Sequence, residues 1–203
     1  MKQIQKHKHL ISAYIVSFFA IAFTLLPITW LFMLSIKSKG ETFTKPPKWI
    51  FDPTVNNYIK LWDNDLFKDT FFNSIYITII SIILSVTIAL FAAYALKIYK
   101  IKFKTAFMQW LLLAYMLPEF LFVLPMFTIY QTMGIYDTYI GMAIIYQVHV
   151  LPFSIWMLRS FLEEIPKEID DAAIIDGCGP IQAIFKIYLP LIIPGIVATA
   201  ILN

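Results

Sequence analysis

Side chains that could perform chemistry are few in this sequence. It has three histidines, His7, His9 and the isolated His149, and a single cysteine, Cys178. A metal site needs His or Cys ligands at close spacing, such as H-E-x-x-H on a helix, and no such spacing occurs. The G-x-x-x-x-G-K-[ST] loop that cradles nucleotide phosphates is also absent from the sequence. We therefore expect neither a metal site nor a nucleotide site, and no cofactor bound by this chain.

Three further polar side chains lie within apolar stretches. Glu119 directly follows Pro118, and Gln147 lies close to His149. A polar or ionisable group at membrane depth is costly and usually faces a bundle interior or a wet cavity. Glu119, Gln147 and His149 are therefore candidates for lining a solute path. The alternative is that Glu119 lies near the outer interface and His149 only hydrogen-bonds to a neighbouring helix.

Composition indicates what kind of elements must hold these groups. Of the 203 residues, 60% are hydrophobic and 14% are charged, and the mean hydropathy is +0.74. These values indicate an integral membrane protein. The net charge of +3 would also fit a nucleic-acid binder, but the basic residues are scattered between apolar stretches, as topology signals are. We expect no nucleic-acid partner.

Apolar runs predict an all-α, polytopic helical bundle in a single transmembrane domain, residues 1–203. The predicted spans are about 10–36, 71–96, 106–130, 139–158 and 191–203 onward. A cleaved signal peptide is the alternative for the first run, but that run is long, aromatic to its end and without a small-residue cleavage site. Prolines inside the later spans bend helices and free carbonyls, which fits a moving gate as well as a static helix.

The polar segments between the spans predict the orientation. The N-terminus, the basic run Lys97 to Lys104 and the loop 159–190 hold most of the basic charge and are predicted to be cytoplasmic. The loop 37–70 is then extracytoplasmic, although its lysines count against this assignment. Within that loop Thr54 can cap a short interfacial helix, with a solvated loop as the alternative. The basic run can contact anionic membrane lipid or a protein partner, or simply mark topology.

The polar stretch 163–194 predicts two short helices joined by a tight corner. Pro166 suits a first helical turn, because its missing N–H costs nothing there. Gly177 can take a positive φ and end that helix, and Gly179 followed by Pro180 can begin the next one. An apolar stripe with carboxylates beside it is formed by Ile165, Ile169, Ala172 and Ala173.

This corner resembles the EAA loop of binding-protein-dependent ABC importer permeases. The matching residues are Asp171-Ala172-Ala173, Asp176-Gly177, Ile187, Leu189-Pro190 and Pro194. Asp171 departs from the usual Glu, and Cys178 from the usual Ala. The resemblance implies that the corner is a coupling helix, which docks into a groove on a cytoplasmic ATPase. It implies ATPase-coupling roles for Asp171, Ala172, Ala173, Asp176, Gly177, Cys178 and Pro190.

The resemblance covers nearly the whole chain and is greatest to the second permease of maltose-type sugar importers. Further matching residues include Asn57-Tyr58, Asn73-Ser74, Leu117-Pro118, Asp137-Thr138, Gly141, Pro152-Phe153 and Arg159 to Pro166. The family implies a sugar substrate and three kinds of partner: a second permease subunit, two ATPase subunits that use ATP and Mg, and an extracytoplasmic solute-binding protein. Such permeases usually continue past the position of Asn203, so we expect a C-terminally incomplete chain.

The sequence leaves three alternative functions open. One is a permease of the same type for another solute, such as a polyamine or glycerol phosphate. Another is an intramembrane enzyme, for which only Glu119 and His149 are available as a catalytic pair. The third is a structural or sensory membrane protein, in which changes to residues 171–177 would not affect uptake.

Overall fold

The computed structural model describes residues 2–118 and 120–203, with side chains from residue 13 onward except at residue 119. Every regular element within these residues is a helix, which confirms the predicted all-α fold. The chain divides into two compact units, Met1–Thr70 and Phe71–Asn203.

The first unit holds one long helix, two short ones and the start of a second long helix. They are α1 (Lys2–Ser35), α2 (Lys39–Thr42), α3 (Asn56–Trp62) and α4 (Asp65–Ile98), which continues into the second unit. Side chains over residues 13–29 of α1 are exposed although most are apolar, with Phe23 at 83%. An apolar surface of this extent requires lipid or a protein partner.

Lys37, just after α1, is only 1% exposed. Its Nζ donates to the carbonyl of Lys48 at 2.5 Å. The same atom lies 4.8 Å from the centroid of the Phe51 ring and 5.6 Å from that of Trp30. A ring face attracts a cation because the π electrons make it negative. This lysine cage, formed by Lys37, Trp30, Phe51 and the Lys48 carbonyl, fastens the loop after α2 to the end of α1.

Helix α3 occupies the stretch predicted to form a short helix. Thr54 Oγ1 accepts a hydrogen bond from the Asn56 N–H at 3.2 Å, but the N-cap of α3 is Val55, which makes no side-chain cap, so the prediction that Thr54 caps this helix is wrong. Asn57 Nδ2 donates to the carbonyls of Ser35 and Lys37, both at 2.8 Å. These bonds attach α3 to the end of α1.

The second unit contains the rest of α4 and the remaining helices. They are α5 (Lys104–Met116), α6 (Phe120–Met133), α7 (Tyr139–Glu163), α8 (Lys167–Ile175), α9 (Pro180–Ala183), a π-helical turn (Ile184–Tyr188), α10 (Leu189–Leu191) and α11 (Ile193–Leu202). Thr138 caps α7 by accepting the Gly141 N–H at 3.0 Å. A Cβ on Gly141 would lie 2.2 Å from the carbonyl oxygen of Ile135, so this tight start requires glycine.

Three helical stretches among the described residues are long and apolar enough to cross a membrane: Ala13–Ser35, Asp65–Ile98 and Tyr139–Glu163. Two bent pairs raise the number to five if each pair is one span, namely Lys104–Met116 with Phe120–Met133 and Pro180–Leu191 with Ile193–Leu202. The chain is a multi-pass membrane protein. The stretch 106–130, predicted as one span, is two helices, because Leu117 before Pro118 is extended with ψ 137°.

The core of the second unit lies where α4, α7 and the segment after the corner meet. Ala89 and Ala93 of α4 and Leu158 of α7 are fully buried. Small residues on α4 allow neighbouring helices to approach closely. A Cβ on Gly195 of α11 would lie 2.4 Å from Phe161 Cγ of α7, so these two helices are also in close contact.

Candidate functional site

The predicted corner is present, and its backbone explains the turn. Gly177 has φ +69° and follows the end of α8. The N–H of Cys178 bonds to the carbonyl of Ala173 at 3.0 Å, and that of Gly177 to Ile174 at 3.1 Å. This pair of bonds is the Schellman motif, which requires a left-handed residue at the position of Gly177. Gly179 is then the cap of α9, as predicted, whereas Pro166 lies at the cap of α8 and not inside its first turn.

The exposed side of the corner is apolar. Ile174 is 71% exposed, Ile175 85% and Ile181 67%. Together these three isoleucines form what we call the corner tip. Three of the candidate coupling residues, Asp171, Ala172 and Asp176, are exposed nearby.

Ala172 and Ala173, which the sequence placed on one docking stripe, differ in burial. Ala172 is exposed, but Ala173 is 5% exposed and faces its own chain. Ala173 therefore shapes the corner from inside and is not part of its exposed surface. Cys178 is half-buried and packs against the core, whereas Pro190 is exposed.

A buried polar cluster joins α8 to two other segments. Asp170 Oδ1 of α8 lies 3.0 Å from Lys97 Nζ at the end of α4, and it accepts the Tyr188 hydroxyl at 2.5 Å. Lys97 also donates to the carbonyl of Ile165 at 3.2 Å, and its Nζ lies 5.0 Å from the centroid of the Tyr188 ring. Side-chain exposure is 8% for Lys97 and 16% for Asp170, and Tyr188 is 1% exposed. We call Lys97, Asp170 and Tyr188 the corner cluster.

Sequence reasoning missed this cluster. Lys97 was predicted only as part of a basic run, and no contact was predicted for Asp170 or Tyr188. Lys97 and Ile165, which the cluster also joins, are 68 positions apart, and no spacing rule relates residues at that separation. The one available signal was that lysine, aspartate and tyrosine side chains can hydrogen-bond to one another when they are buried.

A second charged cluster lies beside the corner but is more exposed. Glu163 Oε1 at the end of α7 lies 2.8 Å from Arg159 Nη2 and 3.4 Å from Lys104 Nζ. The Glu163 side chain is 45% exposed. Because water screens charges at such sites, this cluster contributes less than a buried pair of similar geometry.

His149 lines a cavity of about 410 Å³ between α5, α6 and α7. Its ring stacks on Tyr115, with ring centroids 4.5 Å apart, and Tyr115 also stacks on Phe153 at 5.7 Å. Glu119, the third candidate for a solute path, lies outside the described residues.

Gln147 is placed differently from His149. Its Nε2 donates to the carbonyl of Ala143 at 2.8 Å and to Ser81 Oγ at 3.0 Å, which ties α7 to α4. It also lines an adjoining cavity of about 500 Å³, which shares Ala114 and Leu117 with the cavity beside His149. Among the described residues nothing hydrogen-bonds to Gln147 Oε1, which is buried.

Buried hydroxyl groups form another tie between α4 and α7. Ser85 and Ser154 are both 0% exposed, and their Oγ atoms lie 2.7 Å apart. Asn203 Nδ2 donates to Ser154 Oγ at 2.8 Å. These hydrogen bonds satisfy polar groups that would otherwise be costly at this depth.

Comparison with known proteins decides what kind of protein carries this corner. The family described as "Binding-protein-dependent transport system inner membrane component" matches residues 85–203, which include the corner, the corner cluster and both cavities. The chain belongs to this family of transport components. The family assignment confirms the resemblance found in the sequence, and it identifies a transport subunit and not an enzyme.

Several relatives of this transport component are named as permeases for sugars or sugar derivatives. It is 36% identical to the trehalose transport system permease protein SugB of Mycobacterium tuberculosis, over 90% of this chain and 66% of the relative. It is 31% identical to the sulfoquinovosyl glycerol transport system permease protein SmoH of Agrobacterium fabrum, over 88% and 63%. It is 33% identical to the arabinooligosaccharides transport system permease protein AraQ of Halalkalibacterium halodurans, over 93% and 68%. The transport component thus spans about two thirds of the length of the relatives it matches.

Proposed function

We propose that this chain is the permease subunit of an ATP-driven importer that moves a sugar or oligosaccharide across the cytoplasmic membrane. The observation that carries the proposal is the exposed apolar corner tip. Ile174, Ile175 and Ile181 project from a turn that Gly177 and the Schellman bonds fix in shape. A rigid apolar projection of this kind is suited to a groove on another protein.

That other protein is a cytoplasmic ATPase, present as two subunits that use ATP and Mg. The family description, an inner membrane component that depends on a binding protein, supports a partnership with an extracytoplasmic solute-binding protein. A second permease subunit completes the path. Closure of the ATPase subunits displaces the corner, and the membrane helices rock about a site in the membrane, as alternating access requires.

The same proposal fixes the orientation. The N-terminus and the corner face the cytoplasm, and residues 37–70 lie outside. Support comes from the lysines of the N-terminus and of the run 97–104, which favour the cytoplasmic side. Lysines within 37–70 oppose this assignment, and the acidic residues of that loop offset them only in part.

Support for the proposed substrate class comes from the relatives and from the cavity beside His149. Three relatives are named for trehalose, sulfoquinovosyl glycerol and arabinooligosaccharides. The cavity of about 410 Å³ is of a size that ligand sites have, and His149 is among the residues that line it. We therefore place His149, with Gln147 at the adjoining cavity and Glu119, on the solute path.

Uptake by the reconstituted complex tests the proposal. The full-length protein, co-expressed with a second permease, an ATPase and a solute-binding protein of the same transport system, is placed in vesicles with ATP inside. Labelled trehalose, diacetylchitobiose, arabinooligosaccharide, spermidine and glycerol 3-phosphate are offered in turn. We expect ATP-dependent accumulation of at least one sugar and none without the ATPase. Accumulation of spermidine or glycerol 3-phosphate alone would support the alternative solute class, and no ATP-dependent uptake of any probe would refute an importer.

A further inference from the structure

Helix α8 is attached to the rest of the chain at few points. Among its charged residues, Lys167, Glu168 and Asp171 are exposed, and only Asp170 is largely withdrawn from water. Its apolar residues Ile174 and Ile175 also point away from the chain. A force applied to the corner tip could therefore tilt α8 by itself, unless something fastens it to the membrane helices.

The corner cluster supplies this attachment. Lys97 belongs to the last turn of α4, Asp170 to α8 and Tyr188 to the π-helical turn after the corner. Charges withdrawn from water hold their geometry closely, because separating them leaves each one unpaired in a medium of low dielectric constant. The Asp170 carboxylate accepts from both partners, so it fixes α8 to two segments at once.

Side chains on one face of α4 contact Tyr188 of the π-helical turn. Tyr94 and Lys97 are three positions apart on α4 and so lie on the same face. The Tyr94 ring packs edge to face on the Tyr188 ring, with centroids 5.2 Å apart. The Lys97 Nζ lies over the same Tyr188 ring and beside Asp170. The Tyr188 ring is thus held by packing against Tyr94, while its hydroxyl donates a hydrogen bond to Asp170.

We propose that the corner cluster of Lys97, Asp170 and Tyr188 acts as a latch that makes α8 and the end of α4 move as one body. Displacement of the corner tip is then passed to α4 and is not lost in bending of the corner. This inference rests on the proposed importer function. Lys97 and Asp170 are positioning residues that touch no solute.

Hydrogen exchange tests the latch without any solute. Full-length protein in lipid nanodiscs is compared with Lys97→Met, Asp170→Asn and the conservative Lys97→Arg, with Glu163→Gln in the exposed charged cluster as the matched control. We expect exchange over residues 167–175 to rise about 10-fold in the first two variants and to stay near the original rate in the other two. Equal exchange in all four variants would overturn the latch.

Coupling of transport to ATP hydrolysis provides the second readout. The amount of sugar moved per ATP hydrolysed is measured in the vesicles, with the sugar that the unaltered complex accumulates. We expect Lys97→Met and Asp170→Asn to lower this ratio about 10-fold, a size typical of coupling between sites, while ATP hydrolysis continues. Lys97→Arg keeps the ratio, because arginine can also pair with Asp170. A merely structural role would lower the amount of complex and leave the ratio unchanged.

The outcomes separate this inference from the importer proposal. Absence of ATP-dependent uptake by the unaltered complex refutes the importer itself. Uptake by the unaltered complex together with an unchanged ratio in Asp170→Asn refutes only the latch. Should Lys97→Met and Asp170→Asn fail to accumulate in the membrane, Tyr188→Phe decides, since it removes one hydroxyl and keeps the ring. A lower ratio in Tyr188→Phe supports the latch, and an unchanged ratio shows that Tyr188 takes no part and overturns the latch as a cluster of three residues.

Discussion

Among the described side chains, Lys37 is buried and Lys97 is largely withdrawn from water, and the two are held in different ways. Lys37 in the first unit rests in a cage of one carbonyl and two aromatic faces, and no carboxylate in the described part of the chain pairs with it. Lys97 in the second unit meets a carboxylate, a carbonyl and one aromatic face. The cage joins residues close in sequence, whereas the corner cluster joins segments far apart. In this protein the caged lysine closes a local loop, and the ion pair joins elements that are distant in sequence.

Replacing each lysine with methionine tests this contrast most directly. Lys97→Met leaves Asp170 withdrawn from water without its cation, and loss of one partner of a buried pair costs about 3–5 kcal/mol. Lys37→Met leaves no carboxylate unpaired and keeps contact with both rings, so we expect a loss of about 1 kcal/mol. Denaturant titration of the full-length proteins in detergent, followed by tryptophan fluorescence, measures the free energy of unfolding. Equal losses would show that the two sites are equivalent.

The corner provides the next largest effect, and the chain offers its own control. Gly177 and Gly134 have φ of +69° and +68°, and a Cβ on either would meet nothing within 4 Å. Valine at either position therefore adds the same backbone strain of about 1–3 kcal/mol. We expect Gly177→Val to insert in the membrane but abolish uptake, while Gly134→Val transports normally per unit of inserted protein.

Immunoblots of membranes combined with the sugar uptake assay measure both quantities. Loss of uptake in both variants would mean that strain, and not the shape of the corner, is responsible. Normal uptake by Gly177→Val would remove the reason for assigning the corner to the ATPase contact.

The lysine cage predicts a smaller effect. Phe51 presents the nearer ring to Lys37 Nζ, and Phe51→Leu removes that face at a cost of about 1 kcal/mol. The same change in a Lys37→Met background should cost less, because the cation is already gone. Phe43→Leu, at a residue 77% exposed in the same unit, is the control. A cost that is equal in both backgrounds would exclude a cation–ring interaction.

Chemical labelling changes the protein least and tests the sides of the membrane assigned to the corner and to the loop 37–70. Cys178 is the sole thiol, and the proposed orientation places it in the cytoplasm. A membrane-impermeant maleimide should therefore label it in inside-out vesicles and not in intact cells. Ile50→Cys in a Cys178→Ser background, at a residue 94% exposed, should show the opposite pattern. Labelling of Cys178 from outside would reverse the orientation.

Local features of the fold were predictable from the sequence. The end of α8 follows from Gly177, which can take a positive φ, and the start of α9 follows from Gly179 and Pro180, because proline fixes its own φ at a helical value. The long apolar helices follow from composition alone. The end of α5 at Leu117 was not predicted, although the extended bias of a residue before proline was available for Leu117.

The site was less predictable, because its contacts are distant in sequence. Ser85 and Ser154 are 69 positions apart, and the corner cluster spans similar separations. Helical spacing also failed to tell Ala172 from Ala173, since two adjacent residues differ by about 100° around a helix and either can mark the edge of a stripe. Which of them is covered depends on the neighbouring helices, not on α8.

The π-helical turn at Ile184–Tyr188 fixes the length of the chain between the corner and α11. Such a turn accommodates one residue more than the α-helix around it, and each residue of an α-helix turns the chain by about 100°. A homologue that lacked one residue here would have a smoother helix but would aim its tyrosine hydroxyl away from the aspartate. In this stretch the count of residues matters as much as their identity.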